Sequence, residues 1–303
     1  MDPITKALLF SWDIRFEILL PLTLLGALQF IGWRRLRQRG AERFATGWRL
    51  ASYLTGLVVM ILALLSPIDV LASQLFSLHM IQHLMIMMVA PPLLWLAGPF
   101  ATGLWALPRP LRLQVGGWFQ HESRFREVLR VVTQPGISWL LFVGTLYLWH
   151  DPNAYSLAQG NGRIHDLEHL TFFGTAMLFW WRMIGAGPHI HGRTSLLSRI
   201  GYVMGVVPAN MLLGVTISLA ESPIYPHYMN VPRLYNISIM DDQMIAGLIM
   251  WIPGTMMYVA TALILVARLF TNADRRPDRS KDANGKLIRR TPTPHPPRLA
   301  TIE

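Results

Sequence analysis

The sequence predicts an all-α integral membrane protein, a polytopic bundle of about seven transmembrane helices. Of the 303 residues, 52% are hydrophobic and 15% are charged, whereas roughly 25% of the residues of an average soluble domain are charged. Several windows reach the length of about 20 mostly apolar residues that a bilayer-spanning helix needs. Short Arg-rich or Pro/Gly-rich connections separate these windows, so we expect a multi-pass protein in the lipid bilayer.

The predicted spans alternate with polar connections along most of the chain. They cover residues 16–33, 48–67, 77–98, 135–149, 165–181, 199–219 and 242–269. Residues 1–269 are thus predicted to form one seven-helix transmembrane domain. The first 15 residues lack the features of a removable signal peptide. Residues 270–303 are rich in proline and basic residues, which predicts a disordered basic cytoplasmic tail.

The distribution of Lys and Arg predicts the orientation. The connections assigned to the cytoplasm carry 23 of these residues, and the segments assigned to the outside carry four. By the positive-inside rule, the N-terminus is predicted outside and the C-terminus in the cytoplasm. The net charge of +10 therefore reflects topology, and we expect no nucleic-acid binding. Within the cytoplasmic connection 99–134, the amphipathic stretch 118–130 predicts a helix lying on the membrane surface.

The chain contains no cysteine. Disulfides, thiolate chemistry and cysteine-ligated metals are therefore excluded. Any bound metal must use histidine, methionine, carboxylate or backbone ligands.

The third predicted span contains two histidines, His79 and His83. An ionisable side chain inside a membrane is costly unless it is paired or bound, so the default hypothesis is a functional site. At spacing i, i+4 both rings project from one helix face, where Gln82 can also form hydrogen bonds. The same predicted helix also contains four methionines: Met80, Met85, Met87 and Met88. Copper binds both donor types, although methionines at this spacing also serve as packing residues.

A second group of histidines is predicted at the same outer boundary. His150 ends the fourth span, and H-D-L-E-H places His165 and His169 at spacing i, i+4 at the start of the fifth. This is not the metalloprotease motif H-E-x-x-H. Four imidazoles on two helices plus His150 suit one or two transition-metal ions, with Glu168 and other carboxylates orienting the rings. Zinc would also accept these ligands, and interfacial histidines bonded to loops are the alternative.

Two further features stand inside predicted spans. Pro91-Pro92 removes backbone hydrogen bonds and should kink the third helix. Asp241, Asp242 and Gln243 open the seventh span, where acidic residues either interact with the helix dipole or bind metal. We include Asp241 among the candidate ligands.

Three segments resemble the bacterial CtaG-type cytochrome c oxidase assembly factors. They are H-M-I-Q-H-L-M-I-M-M-V-A-P-P-L-L, H-D-L-E-H-L-x-F-F-G-x-A-x-L-F-W-W and D-D-Q-M-I-A-G-L-I-M-W-I-P-G. The resemblance covers the whole seven-span core. It implies a bacterial plasma-membrane protein that helps to build a haem–copper oxidase by handling copper, with oxidase subunits as partners. The motif positions carried over are His79, His83, His165, His169, Asp241 and Gln243.

The sequence thus favours a non-enzymatic copper-handling assembly factor. A membrane electron carrier with b-type haem is one alternative, because histidines on facing helices can be axial ligands. A copper transporter is the other, although the inner half of the third span lacks ligands. The sequence does not indicate an oligomeric state.

Overall fold

The structure is a computed structural model that describes residues 10–120, 122–188, 190–192, 194–274, 279–281 and 287–289. These residues are predominantly helical, as predicted. The helices in the N-terminal part of the chain are α1 (Phe16–Gln38), α2 (Gly47–Leu65), α3 (Pro67–Ala72), α4 (Phe76–Leu84), α5 (Ala90–Leu96), α6 (Pro99–Ala106) and α7 (Arg109–Gly117). The helices that follow are α8 (Arg124–Val132), α9 (Pro135–Trp149), α10 (Pro152–Gly160), α11 (Gly162–Ile184), α12 (Leu196–Met204), α13 (Val206–Ser218) and α14 (Ile239–Asp274).

Four shorter elements are also present in the described part of the chain. A π-helical turn, Met85–Val89, joins α4 to α5, and a 3₁₀ turn covers Pro226–Met229. Two strands, β1 (Arg279–Lys281) and β2 (Leu287–Arg289), pair antiparallel. The other residues predicted to form the disordered tail, 275–278, 282–286 and 290–303, lie outside the described residues. The predicted boundary at residue 270 falls within α14.

Within the described residues, five helical stretches are long and apolar enough to cross a membrane: α1, α2, α4 with α5, α12 with α13, and α14. The number becomes six if α8 and α9, bent by 65°, form one span. Large apolar side chains such as Leu20, Leu140 and Leu212 are exposed on the outside of the bundle, where lipid would cover them. The predicted fifth span lies in α11, which has 23 residues but carries charged side chains near both ends. The number seven and the orientation therefore stay predictions.

The third span occupies the centre of the bundle. Its two halves, α4 and α5, contact α14 and α2 respectively, and α11 packs against α5 and the π turn. Helices α13 and α14 approach each other closely at Gly247, where an added Cβ would lie 2.5 Å from the Ser218 nitrogen. This close packing positions α14, whose first turn reaches the start of α4.

The loss of helical hydrogen bonds expected at Pro91-Pro92 is present, and a π turn ending at Val89 comes directly before the prolines. A proline at position 91 cannot donate to the carbonyl of Met87, four residues earlier. The indole Nε1 of Trp180 on α11 donates to that carbonyl instead, at 2.9 Å. The unpaired carbonyl thus becomes a contact between the two histidine-bearing spans.

The prediction of a surface helix over residues 118–130 was wrong in its extent. Of the residues in this stretch that the structure describes, those from Arg124 onward are helical, and this helix, α8, continues to Val132. Neither α7 nor α8 contains a buried residue. Both helices therefore remain suited to the membrane surface as two short pieces.

Candidate functional site

Side-chain caps fix the start of both helices that carry a histidine pair. The Asp242 carboxylate accepts hydrogen bonds from the backbone N–H groups of Phe76 at 2.8 Å and Ser77 at 3.0 Å. These are first-turn donors of α4 that have no partner within the helix. The Asn161 side chain caps α11 by accepting from the Arg163 N–H at 3.0 Å. The Asp242 cap comes from a helix more than 160 residues away along the chain, which local sequence patterns do not reveal.

The two predicted histidine pairs meet in one cluster. Ring centroids lie 4.2 Å apart within each pair, His79–His83 and His165–His169. Between the pairs, His83 lies 5.5 Å from His169, and His79 lies 5.6 Å from His165. The structure thus brings together the four imidazoles that the spacing had placed on two separate helix faces.

Glu168 lies at the centre of this cluster. Its carboxylate Oε1 is 3.7 Å from Nε2 of His79 and 3.5 Å from Nε2 of His83, and its side chain is fully buried. The sequence predicted a supporting role for Glu168 in orienting imidazole rings. Its position indicates a more direct role, because the carboxylate of α11 faces the histidines of α4.

The cluster contains nine buried nitrogen and oxygen atoms that have no hydrogen-bond partner. They are Nε2 of His79, His150 and His165, both ring nitrogens of His83 and His169, and both carboxylate oxygens of Glu168. A buried polar atom without a partner costs roughly 1–3 kcal/mol. Such a concentration at one place indicates that another group normally satisfies these atoms.

Two sets of three side chains have the compactness of a metal site. The first is His79, His83 and Glu168, and the second is Asp69, His165 and His169. Within each set, the possible ligand atoms all lie within 4.8 Å of one another. Imidazole nitrogens and carboxylate oxygens are ligands for divalent and monovalent transition metals.

Asp69 is a member that the sequence did not identify. It lies on α3 and accepts a hydrogen bond from Nε2 of Gln82 at 2.6 Å. Burial raises the pKa of the Asp69 carboxyl above its ordinary value, while the Gln82 hydrogen bond and the charge of Arg15 oppose this shift. Gln82, noted in the sequence for its position beside His79, thus holds a carboxylate of the second set.

His150 lies at the edge of the cluster and belongs to neither set. Its ring is 6.3 Å from that of His83. Its Nδ1 donates to the carbonyl of Leu146 at 2.7 Å. The remaining nitrogen, Nε2, therefore carries the free lone pair in the neutral ring.

Asp241 is not placed with the histidines, contrary to the prediction. It is exposed, accepts from the Ser238 hydroxyl at 2.6 Å, and its N–H donates to the same hydroxyl. The physical reason is helical geometry, since adjacent residues point about 100° apart around a helix with 3.6 residues per turn. Asp242 faces the bundle, and Asp241 consequently faces outward.

Charged side chains border the more open side of the cluster. His165 is partly exposed, and its neighbour Asp166 accepts a hydrogen bond from Arg15 at 2.6 Å. Arg15 also reaches the Leu64 carbonyl at 3.4 Å. This ion pair joins the start of α1 to α11 beside the His165–His169 pair, which is the pair closer to solvent.

Comparison with known proteins identifies one matching family. The family model described as cytochrome c oxidase caa3 assembly factor matches residues 27–272. An uncharacterised protein of Mycobacterium leprae is 28% identical over 283 residues, which cover 89% of this chain and 42% of that protein. An uncharacterised protein of Mycobacterium tuberculosis is 27% identical over 254 residues, which cover 81% of this chain and 37% of that protein. The chain thus spans about two fifths of the length of these relatives. No solved structure matches.

Proposed function

The chain belongs to the family of cytochrome c oxidase caa3 assembly factors, and we propose that it assists assembly by binding copper at the histidine cluster and delivering it to an oxidase subunit. In this proposal the copper ion is cargo, and the chain catalyses no reaction. The ligands are His79, His83 and Glu168 in one set and Asp69, His165 and His169 in the other.

The observation that carries this proposal is the concentration of nine unpartnered ligand atoms in a buried cluster. Hydrogen bonds among these side chains do not satisfy them, because all nine atoms lack a partner even where two lie near each other, as Nε2 of His83 and Oε1 of Glu168 do at 3.5 Å. A metal ion is an electron-pair acceptor and would satisfy several of them at once. Its positive charge would also compensate the buried Glu168 carboxylate.

Copper is favoured over zinc by the role of the family. Imidazole ligands suit both metals, so the two ligand sets alone do not discriminate between them. A haem–copper oxidase needs copper for its active centres, and an assembly factor with a buried imidazole cluster is suited to supply it. We therefore expect haem–copper oxidase subunits as the partners, in a bacterial plasma membrane.

The geometry of the cluster disfavours a b-type haem carrier. Haem ligation by facing helices requires space for the porphyrin between the two axial histidines. Here Oε1 of Glu168 lies 3.5 Å from Nε2 of His83 and 3.7 Å from Nε2 of His79, so a carboxyl group stands where a porphyrin would have to lie. A visible absorption spectrum of the purified chain without a Soret band would agree with the copper proposal.

Metal analysis of the purified full-length chain tests the proposal. We expect copper to co-purify with the wild type after growth in copper-supplemented medium. Glu168→Gln removes the negative charge of a proposed ligand but keeps an oxygen donor, and it should lower copper affinity roughly 10–100-fold. The matched control is His227→Ala, because His227 is partly exposed, belongs to neither ligand set and hydrogen-bonds only to the Ser73 carbonyl among the described residues, at 2.9 Å. Wild-type protein without copper, or equal losses in both variants, would refute the proposal.

A complementation assay tests the cellular role and separates assembly from transport. Cells lacking the gene should make the oxidase polypeptides but contain copper-deficient, inactive oxidase, and added copper should partly restore activity. The His79→Ala, His83→Ala double variant should fail to complement. A copper transporter would instead alter total cellular copper, which we expect to remain unchanged.

A further inference from the structure

A small cavity of about 30 Å³ lies beside the histidine cluster, further along the third span. Four methionines and two histidines are among the residues that line it: Met80, Met87, Met88, Met250, His83 and His150. Each of the four methionines is at most 4% exposed. Soft thioether donors therefore surround a buried cavity that begins at the edge of the imidazole cluster.

The methionines continue the helix face that carries His83. Met80, His83, Met87 and Met88 follow the i, i+3, i+7, i+8 pattern of a single helical stripe. Met250 approaches the same cavity from α14. The π turn over Met85–Val89 lies within this stripe, and such turns often occur at functional sites.

Both histidines of the cavity have free nitrogen atoms. Nε2 of His150 has no partner, because only Nδ1 is held by the Leu146 carbonyl. His83 has two unpartnered nitrogens, of which Nε2 lies 3.5 Å from Glu168. Its Nδ1 consequently remains available, so His83 joins the cavity to the ligand set that contains Glu168.

We propose that this cavity is a second metal subsite, which takes a soft monovalent ion, Cu(I), through thioether sulfur and imidazole nitrogen. Every donor in it is neutral, so a monovalent ion leaves less uncompensated buried charge than a divalent ion would. Thioethers also select Cu(I) over harder cations. The inference rests on the proposed function, since it divides copper binding between an outer carboxylate–imidazole part and an inner methionine part.

Ordinary packing is the alternative explanation for buried methionines. A cavity of this size can also hold a single water molecule. Neither ordinary packing nor a bound water molecule would place methionine sulfur in the ligand shell of a metal ion. The identity of the atoms around bound copper therefore separates these explanations.

X-ray absorption spectroscopy of the Cu(I)-loaded full-length chain is the first measurement. Because the chain contains 16 methionines and no cysteine, any sulfur in the copper shell must come from methionine. We expect sulfur scattering in the wild type. A shell containing only nitrogen and oxygen would overturn the subsite, while leaving copper binding by the outer sets intact.

Silver titration of variants is the second measurement, with Ag(I) as the soft monovalent probe. Met80→Leu combined with Met250→Leu keeps the cavity lining apolar and similar in volume, and should weaken Ag(I) binding about tenfold or more. Met256→Leu is the matched control, since Met256 is also on α14 but is 64% exposed. Unchanged Ag(I) affinity in the double variant would refute the subsite. Absence of any copper from the wild type would refute the proposed function itself, so the two failures are distinguishable.

Discussion

The two histidine pairs have the same sequence spacing and ring separation but different surroundings. His79 and His83 are 0% and 4% exposed, lie on the central span, and face the Glu168 carboxylate. His165 is partly exposed and lies beside the Arg15–Asp166 ion pair, while His169 points into the cluster. The i, i+4 spacing thus specifies which rings are neighbours, and the position of each helix in the bundle decides how accessible they are.

This difference suggests a division of roles in copper handling. The pair on α4 is held by the buried Asp242 cap and is far from solvent, which suits retention of an ion. The pair on α11 borders solvent, which suits uptake and release. The predictions below separate these roles, because each changes one pair and leaves the other unchanged.

The largest expected effect is on copper affinity, and it is seen by comparing two single variants, each of which lacks one histidine of one pair. His83→Ala should raise the dissociation constant for copper about 100-fold or more, since losing a ligand exceeds the 10–100-fold cost of disturbing its supporting partners. His165→Ala should raise it only about tenfold, because water can replace a partly exposed ligand. Competition with a chelator of known affinity measures both constants. Equal changes would mean that the pairs are equivalent.

The next effect concerns the cap on the central span. Asp242→Ala leaves the buried N–H groups of Phe76 and Ser77 without partners and should lower the free energy of unfolding by about 1–3 kcal/mol. Thermal unfolding in detergent, followed by circular dichroism, measures this change. The matched control is Asp241→Ala, because Asp241 is adjacent but exposed and should cost less than about 1 kcal/mol. A larger loss from the control would show that the cap does not hold α4.

The smallest expected effect is kinetic and affects the outer pair. Arg15→Gln breaks the ion pair with Asp166, whose side chain is 47% exposed, and such pairs contribute only about 0–1 kcal/mol. Copper affinity should therefore stay unchanged, while the rate of copper removal by a chelator should rise severalfold. Arg37→Gln, which breaks the ion pair of Arg37 with Glu42 at 4.0 Å near the other end of α1, should leave that rate unchanged. If the two variants release copper equally fast, the Arg15 ion pair does not control access.

The sequence by itself determined the helical membrane class, the positions of most spans and the two histidine pairs. These features depend on local properties: apolar windows as long as the bilayer is thick, and rings separated by one helical turn. The loss of helical hydrogen bonds at Pro91-Pro92 was equally local, because proline removes its own backbone donor. The family resemblance was visible for the same reason, since its three motifs are continuous segments.

Only the tertiary structure decided which acidic side chains join the histidines. Asp241 and Asp242 are neighbours in sequence, yet one is exposed and the other caps a distant helix. Glu168 and Asp69 reach the cluster from α11 and α3, and no sequence spacing links them to the third span. The physical reason is that a shift of one residue turns a side chain about 100° around the helix. Which side then faces protein and which faces lipid depends on how all the helices pack together.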